Sequence, residues 1–326
     1  MTRQLYVWPS DNFFTEDNEK IENATNVKSV RCGVYSIGIV YNDGTIDIVY
    51  DDPQSSPGSP PSFSDVQAIA LGQTHGLVLF NDGTVSGWGD NSDGQLDIPT
   101  GLSGVIAIEA GGGDLELGHS LALKSDGTVV AWGDDFYGQS TVPTGLSDVI
   151  AISAREINSF ALRSDGTIVA WGGGWSYEDD VQPPPGIDDF IQVSAGHYGH
   201  LGLRQDGTVE WWGQHFGDTD PIPWAENLTD VAQVASGYHT AAMLQDGTIT
   251  GQGADWNWEE PPEDAHGADF LDAGYYMTIA FYEPRIPSLR LIQRDDDNEF
   301  GSSRIERVQV SSAQKSGRIP GPNTYW

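Results

Sequence analysis

The sequence predicts an all-β fold: a seven-bladed ring of three-stranded blades closed by the N-terminal strand, followed by an extended C-terminal arm. Three observations carry this. Asp-Gly-Thr occurs six times, at Asp43-Gly44-Thr45, Asp82-Gly83-Thr84, Asp126-Gly127-Thr128, Asp165-Gly166-Thr167, Asp206-Gly207-Thr208 and Asp246-Gly247-Thr248, with gaps of 39, 44, 39, 41 and 40 residues. Each Asp-Gly lies between two short apolar segments, and Gly supplies the positive φ that a tight hairpin needs. A third apolar segment precedes every hairpin, so each repeat of about 40 residues is a three-stranded unit, and such a period means a propeller or an array.

The third repeat shows the pattern. Val105-Ile106-Ala107-Ile108 is its first strand, a Gly-rich turn starts at Ala110-Gly111, Leu121 to Leu123 centre the second strand, and Val129 to Trp132 form the third. The other first strands are expected around Val27–Val30, Val66–Ile69, Val149–Ile152, Phe190–Val193, Val231–Val234 and Phe270–Leu271. The turns that follow them start at Cys32-Gly33, Leu71-Gly72, Ala154-Arg155, Ala195-Gly196, Ala235-Ser236 and Ala273-Gly274. Seven such turns stand against six Asp-Gly hairpins. In the seventh unit Tyr282-Glu283-Pro284 replaces the hairpin turn, and a third strand is missing. Tyr6-Val7-Trp8-Pro9-Ser10-Asp11-Asn12 aligns with the third-strand flank Ser86-Gly87-Trp88-Gly89-Asp90-Asn91-Ser92. The N-terminus is therefore expected to supply the missing strand beside Thr278–Phe281, which leaves no open sheet edge.

The stretch HSLALKSDGTVVAWGDDFYGQSTVPTGLSDVIAI, with the Ala-Gly turns, resembles the short bacterial form of the regulator-of-chromosome-condensation repeat. It is also similar to the seven-bladed, three-stranded propeller of the second β-lactamase-inhibitor protein. The resemblance covers about residues 4–282. Departures are Val49 and Gln252 in place of the repeat Trp, and Arg155 and Ser236 in place of Gly. The family includes nucleotide-exchange factors and protein inhibitors, so it implies a fold and a binding habit without naming one activity.

Domain limits follow from charge. Residues 1–282 are expected to form the propeller; they hold 8 of the 15 Lys and Arg and 42 of the 48 acids, whereas 283–326 hold 7 basic and 6 acidic residues. The latter stretch reads as an extended arm that docks through Leu289, Leu291, Ile292, Val308 and Val310, its arginines meeting acidic surface. The net charge of −33 repels nucleic acid and anionic lipid, so neither is an expected partner. No run of apolar residues is long enough to span a membrane, and the first residues lack a signal peptide's apolar core. Synthesis in the cytoplasm is expected.

No motif of metal, nucleophilic or phosphate-loop chemistry is present, so no enzyme activity, cofactor or metal is expected. Asp295, Asp297 and Glu299 lack the glycine of a calcium loop. His75, His119 and His239 share one repeat position with Ser36, Asn158, Gly199 and Met277, and so read as structural hydrogen-bonders. Trp8, Trp88, Trp132, Trp171 and Trp212 share another and read as core, and Trp211 as packing between blades. Four residues beyond the repeat Trp stand Phe136, Trp175, Phe216 and Trp256, in four consecutive units, with Tyr137, Tyr177 and Trp258 beside them. Antiparallel order places this arc on the face of the Ala-Gly turns. Grouped exposed rings offer much contact area at little entropy cost, so these seven are the expected partner-binding residues.

The function expected from this pattern is a non-enzymatic interaction propeller within a larger assembly, such as a phage virion, with other protein subunits as partners. One alternative is a soluble inhibitor or regulator that caps a partner with the aromatic face. The other is a glycan-binding module, whose partner would be a cell-surface glycan or receptor.

Overall fold

The computed structural model describes residues 4–8, 24–50, 57–113, 117–173, 181–197, 199–213, 225–253, 267–274 and 278–282. Among these described residues, twenty-one strands form seven three-stranded antiparallel sheets. Blade one is β2 (Val27–Cys32), β3 (Ser36–Tyr41) and β4 (Ile46–Tyr50); blade two is β5 (Val66–Leu71), β6 (His75–Phe80) and β7 (Val85–Gly89). Blade three is β8 (Val105–Gly111), β9 (His119–Lys124) and β10 (Val129–Gly133), and blade four is β11 (Val149–Arg155), β12 (Asn158–Arg163) and β13 (Ile168–Gly172). Blade five is β14 (Phe190–Ser194), β15 (Gly199–Arg204) and β16 (Val209–Gly213), and blade six is β17 (Val231–Ser236), β18 (His239–Leu244) and β19 (Ile249–Gly253). Blade seven joins β20 (Ala268–Ala273) and β21 (Thr278–Tyr282) to β1 (Gln4–Trp8), in the order β1-β21-β20. The N-terminal strand thus stands where the missing third strand was expected, with Tyr6 opposite Ala280 and Trp8 opposite Thr278. Among the described residues the one helix is a single 3-10 turn, Ala225–Asn227.

The Asp-Gly-Thr turns have a common cause. In each, only Gly has positive φ, between 78° and 83°. The Asp carboxylate instead accepts the backbone N–H of the following Thr and, in the first five turns, its hydroxyl as well, the latter at 2.6 Å. A short polar side chain that closes its own turn explains why Asp and Thr flank the glycine. The Thr bonds hold the exposed carboxyls of Asp43, Asp82, Asp165 and Asp206 below the usual range, and that of Asp126 at about 2.

Packing runs between blades. Seven apolar clusters each unite two neighbouring blades, and the cluster of Val30, Ile37 and Ile39 with Phe270 and Ile279 joins the first blade to the seventh. The repeat Trp residues Trp88, Trp132, Trp171 and Trp212 are 5–7% exposed. Each indole N–H donates to a carbonyl of the loop arriving from the preceding blade: Gly58, Gln95, Gln139 and Val181, at 2.9–3.0 Å. The Gln95 and Gln139 carbonyls also accept the hydroxyls of Ser120 and Ser159. Each loop is thereby fastened over the next blade. Trp211 is half-buried against the cluster shared by blades five and six, as expected of inter-blade packing.

The shared histidine position is structural where its side chains are described. His75 and His119 are fully buried and reach Ser120 and Ser159 of the next blade at 3.2 and 3.0 Å. Their rings lie over the turn glycines: a Cβ on Gly111 would stand 2.0 Å from the His119 ring, and one on Gly72 would stand 2.7 Å from that of His75. Blade four has Arg155 opposite Asn158 instead, so the glycine is lost only where the ring is lost too. The expected departure at Ser236 is corrected by the register. Ser236 pairs with Thr240 as Ala110 pairs with Ser120, so Ser236-Gly237, not Ala235-Ser236, occupies the Ala-Gly position.

Candidate functional site

Two surfaces are candidates: the loop face and the wall of the central channel. Gly111 and Gly133 both lie opposite His119, so the end of the third strand and the Ala-Gly turn share one end of the blade. The loop leaving β10 at that end carries Phe136 and Tyr137. Asp134 accepts the Phe136 N–H at 3.0 Å, and the fully buried Gln139 accepts that of Tyr137 at 2.8 Å. Asp135 accepts the Ser140 N–H and the Thr141 hydroxyl at 2.9 and 2.6 Å. Blade two builds the same frame from Asp90, Asn91 and Gln95. On this rigid loop Phe136 is 76% exposed, with its ring edge-on to Tyr137 at 4.9 Å. Trp175, Tyr177, Phe216, Trp256 and Trp258 lie outside the described residues, as do Leu289, Leu291, Ile292, Val308 and Val310 of the arm.

The same face carries a chain of contacts between blades. Gly112 N–H donates to the Glu156 carbonyl, His197 N–H to that of Gly237, and Tyr238 N–H to that of Gly274. Glu156 is 6% exposed at φ 51°, and its carboxylate meets His197 Nδ1 at 2.6 Å. The His197 ring leans on Tyr238, 5.3 Å between centroids. These turns are fixed to one another, so the face is preorganised.

The channel is the site that sequence reasoning missed. The seven first strands line a central cavity of about 580 Å³. Their fifth residues are Arg31, Ala70, Glu109, Ser153, Ser194, Ala235 and Asp272. Three of them bind the next blade in one way. Ser153 accepts the N–H of Ala195, Ser194 that of Ser236, and Asp272 that of Cys32, each at 2.9 Å. Gln192 and Gln233 add paired amide bonds to the backbones of Val234 and Leu271. Arg155 reaches from blade four to blade seven and donates to the Ala273 carbonyl at 2.8 Å. Burial lifts the Glu109 carboxyl to about 7, with Arg31 and Arg155 opposing the rise and Asp272 adding to it. Burial also pushes the Cys32 thiol well up, which leaves it unreactive. Aligning the fifth residues of the seven first strands would have revealed this wall from sequence.

The regulator of chromosome condensation (RCC1) repeat family matches residues 66–95 and 117–139, which hold blade two and the last two strands of blade three. No curated protein is similar enough in sequence to match. Among solved structures, Prp20p from Saccharomyces cerevisiae superposes with a TM-score of 0.62 at 15% identity, covering 86% of this chain and 91% of its own. Human WBSCR16 gives 0.61 at 18% identity, covering 79% and 87%. The CRINKLY ectodomain of the Arabidopsis thaliana receptor kinase ACR4 gives 0.57 at 14%, covering 74% and 83%. Likeness at such identities speaks for the fold. The repeat match over parts of blades two and three and the shared architecture give this chain the fold of the RCC1-type repeat propellers.

Proposed function

We infer that the chain is a protein-interaction propeller that meets its partner with the Ala-Gly face. The observation that carries this is the Phe136 ring, 76% exposed on a loop whose backbone is held by Asp134 and Gln139. A ring held rigid before contact loses little entropy on binding. Protein partners also agree with the similar structures, since that of Prp20p is described with its binding to Gsp1p and histones, and another of yeast RCC1 is bound to Kap60. The proposed activity is binding, not catalysis.

The finer proposal is a structural or attachment subunit of a larger assembly, a phage particle for instance, with residues 283–326 as its tether. Its support is the charge contrast between the acidic stretch 1–282 and the near-neutral stretch 283–326. The test is co-purification of the protein from its native source with its bound subunits, comparing wild type with Phe136→Ala. A loss of about 2 kcal/mol, roughly thirtyfold in affinity, at unchanged melting temperature is expected. Undiminished partner recovery would refute the face. Phe136-dependent signal on a glycan array, with no protein recovered, would replace the protein partner by a sugar.

A further inference from the structure

The channel wall is unusual for its cations. Six Lys and Arg fall among the described residues, in a chain of net charge −33. On the rim, Lys124 pairs with Asp126, Arg163 with Asp148 and Asp165, and Arg204 with Asp189 and Glu210. Lys28 donates to the Val66 carbonyl. Arg31 and Arg155 face the cavity instead. Arg31 makes no ion pair or hydrogen bond among the described residues. Arg155 is 8% exposed, and its Nε is buried with no acceptor. A buried guanidinium donor without a partner costs on the order of 1–3 kcal/mol, more because it is charged, and an oxyanion would relieve that cost.

The remaining wall suits an organic molecule. Ile150, Ile152, Ile191 and Leu271 supply apolar surface between the polar groups. A volume of about 580 Å³ lies within the range of small-molecule sites, which join mostly apolar walls to a few convergent polar groups. We propose that the channel binds a small organic anion, its carboxylate or phosphate held by Arg31 and Arg155 and its apolar body against the isoleucine wall. This site is independent of the partner face, and its residues are disjoint from Phe136.

The test is titration calorimetry on the full chain with benzoate, phenyl phosphate and inorganic phosphate as probes, each up to about 10 mM. At least one organic probe should bind, and Arg31→Gln should weaken it by about tenfold or more, one charge-assisted contact being worth at least ~1.4 kcal/mol. Arg163→Gln, at a rim arginine, should leave binding unchanged. Tighter binding of phenyl phosphate names a phosphate ligand, and tighter binding of benzoate names a carboxylate. Arg155→Gln is the second variant; if it fails to fold, Arg31→Gln decides, because Arg31 carries no structural bond among the described residues. Glu109 faces Arg31 from β2, Arg155 from β11 and Asp272 from β20, so its ionisation places a negative charge beside the ligand. Benzoate keeps its charge between pH 6 and 8, and its affinity should fall several-fold across that range in wild type but not in Glu109→Gln. No binding by any probe, or binding that survives Arg31→Gln, would overturn the site.

Discussion

The Asp272 carboxylate accepts the backbone N–H of Cys32 at 2.9 Å, across 240 residues of chain and between the last first strand and the first one. Ser153 and Ser194 do the same for Ala195 and Ser236 within the ring. One inter-blade bond has therefore been built with two chemistries. Cys32 is buried, so removing its acceptor leaves an unsatisfied N–H.

Asp272→Ala should lower stability by about 1–3 kcal/mol. Asp272→Ser should recover part of that loss, because serine serves at the equivalent positions of blades four and five. Chemical denaturation of both variants measures it. Equal loss in the two would show that the carboxylate acts through charge alone.

Removal of residues 1–8 deletes β1 and exposes β21 as a free edge, breaking the register from Gln4–Tyr282 to Trp8–Thr278. A melting temperature several degrees lower is expected, together with faster aggregation from the open edge. Calorimetric scanning and light scattering report the two effects. An unchanged melt would mean that β1 adds nothing to the seventh blade.

Phe136→Ala and Trp132→Ala separate binding from folding within one blade. Trp132 is 7% exposed and bonded to the Gln95 carbonyl, so its truncation should cost about 3–5 kcal/mol of stability. Phe136 contributes little burial, and its loss should leave the melting temperature within a degree or so. Reversal of this order, seen by melting both variants, would make Phe136 a packing residue.

Acid should unfold the ring through its buried imidazoles. Burial lowers His75 to about 4 and His119 and His200 to about 3. The unfolded chain, titrating near 6.5, binds more protons below that value. Stability from neutral histidine is complete above about pH 6.5 and declines as pH falls toward 3–4, by on the order of 3–5 kcal/mol for each residue. His119→Asn, the residue of blade four at the same position, should reduce the acid sensitivity measured by denaturation at pH 4 and pH 7. Glu109 acts in the opposite sense. Its carboxyl is raised to about 7, so the folded state is penalised as pH rises from about 4.5 through 7. Glu109→Gln should therefore stabilise the protein at pH 8 by up to about 3 kcal/mol and leave it unaltered at pH 4. Stability that rises by the same amount at both pH values would assign the effect to packing.

What the sequence determined by itself was everything that repeats. Asp-Gly-Thr specifies its hairpin because the carboxylate, the glycine φ and the Thr donors all lie within three residues of one another. The seven-unit count, the buried Trp and the strand supplied by Tyr6 to Trp8 follow from the same periodicity. Tertiary structure decided what depends on different blades meeting. Arg155 reads in sequence as an anomalous glycine, yet it lies across the channel against Ala273 of blade seven. Ser236 reads as another anomaly until its pairing with Thr240 sets the register. Arg31, Glu109 and Asp272 stand 78 and 163 residues apart in the chain, and only ring closure makes them one wall. Local geometry is encoded by neighbours in sequence, whereas the electrostatics of a channel arise from charges brought together through space and stripped of water there.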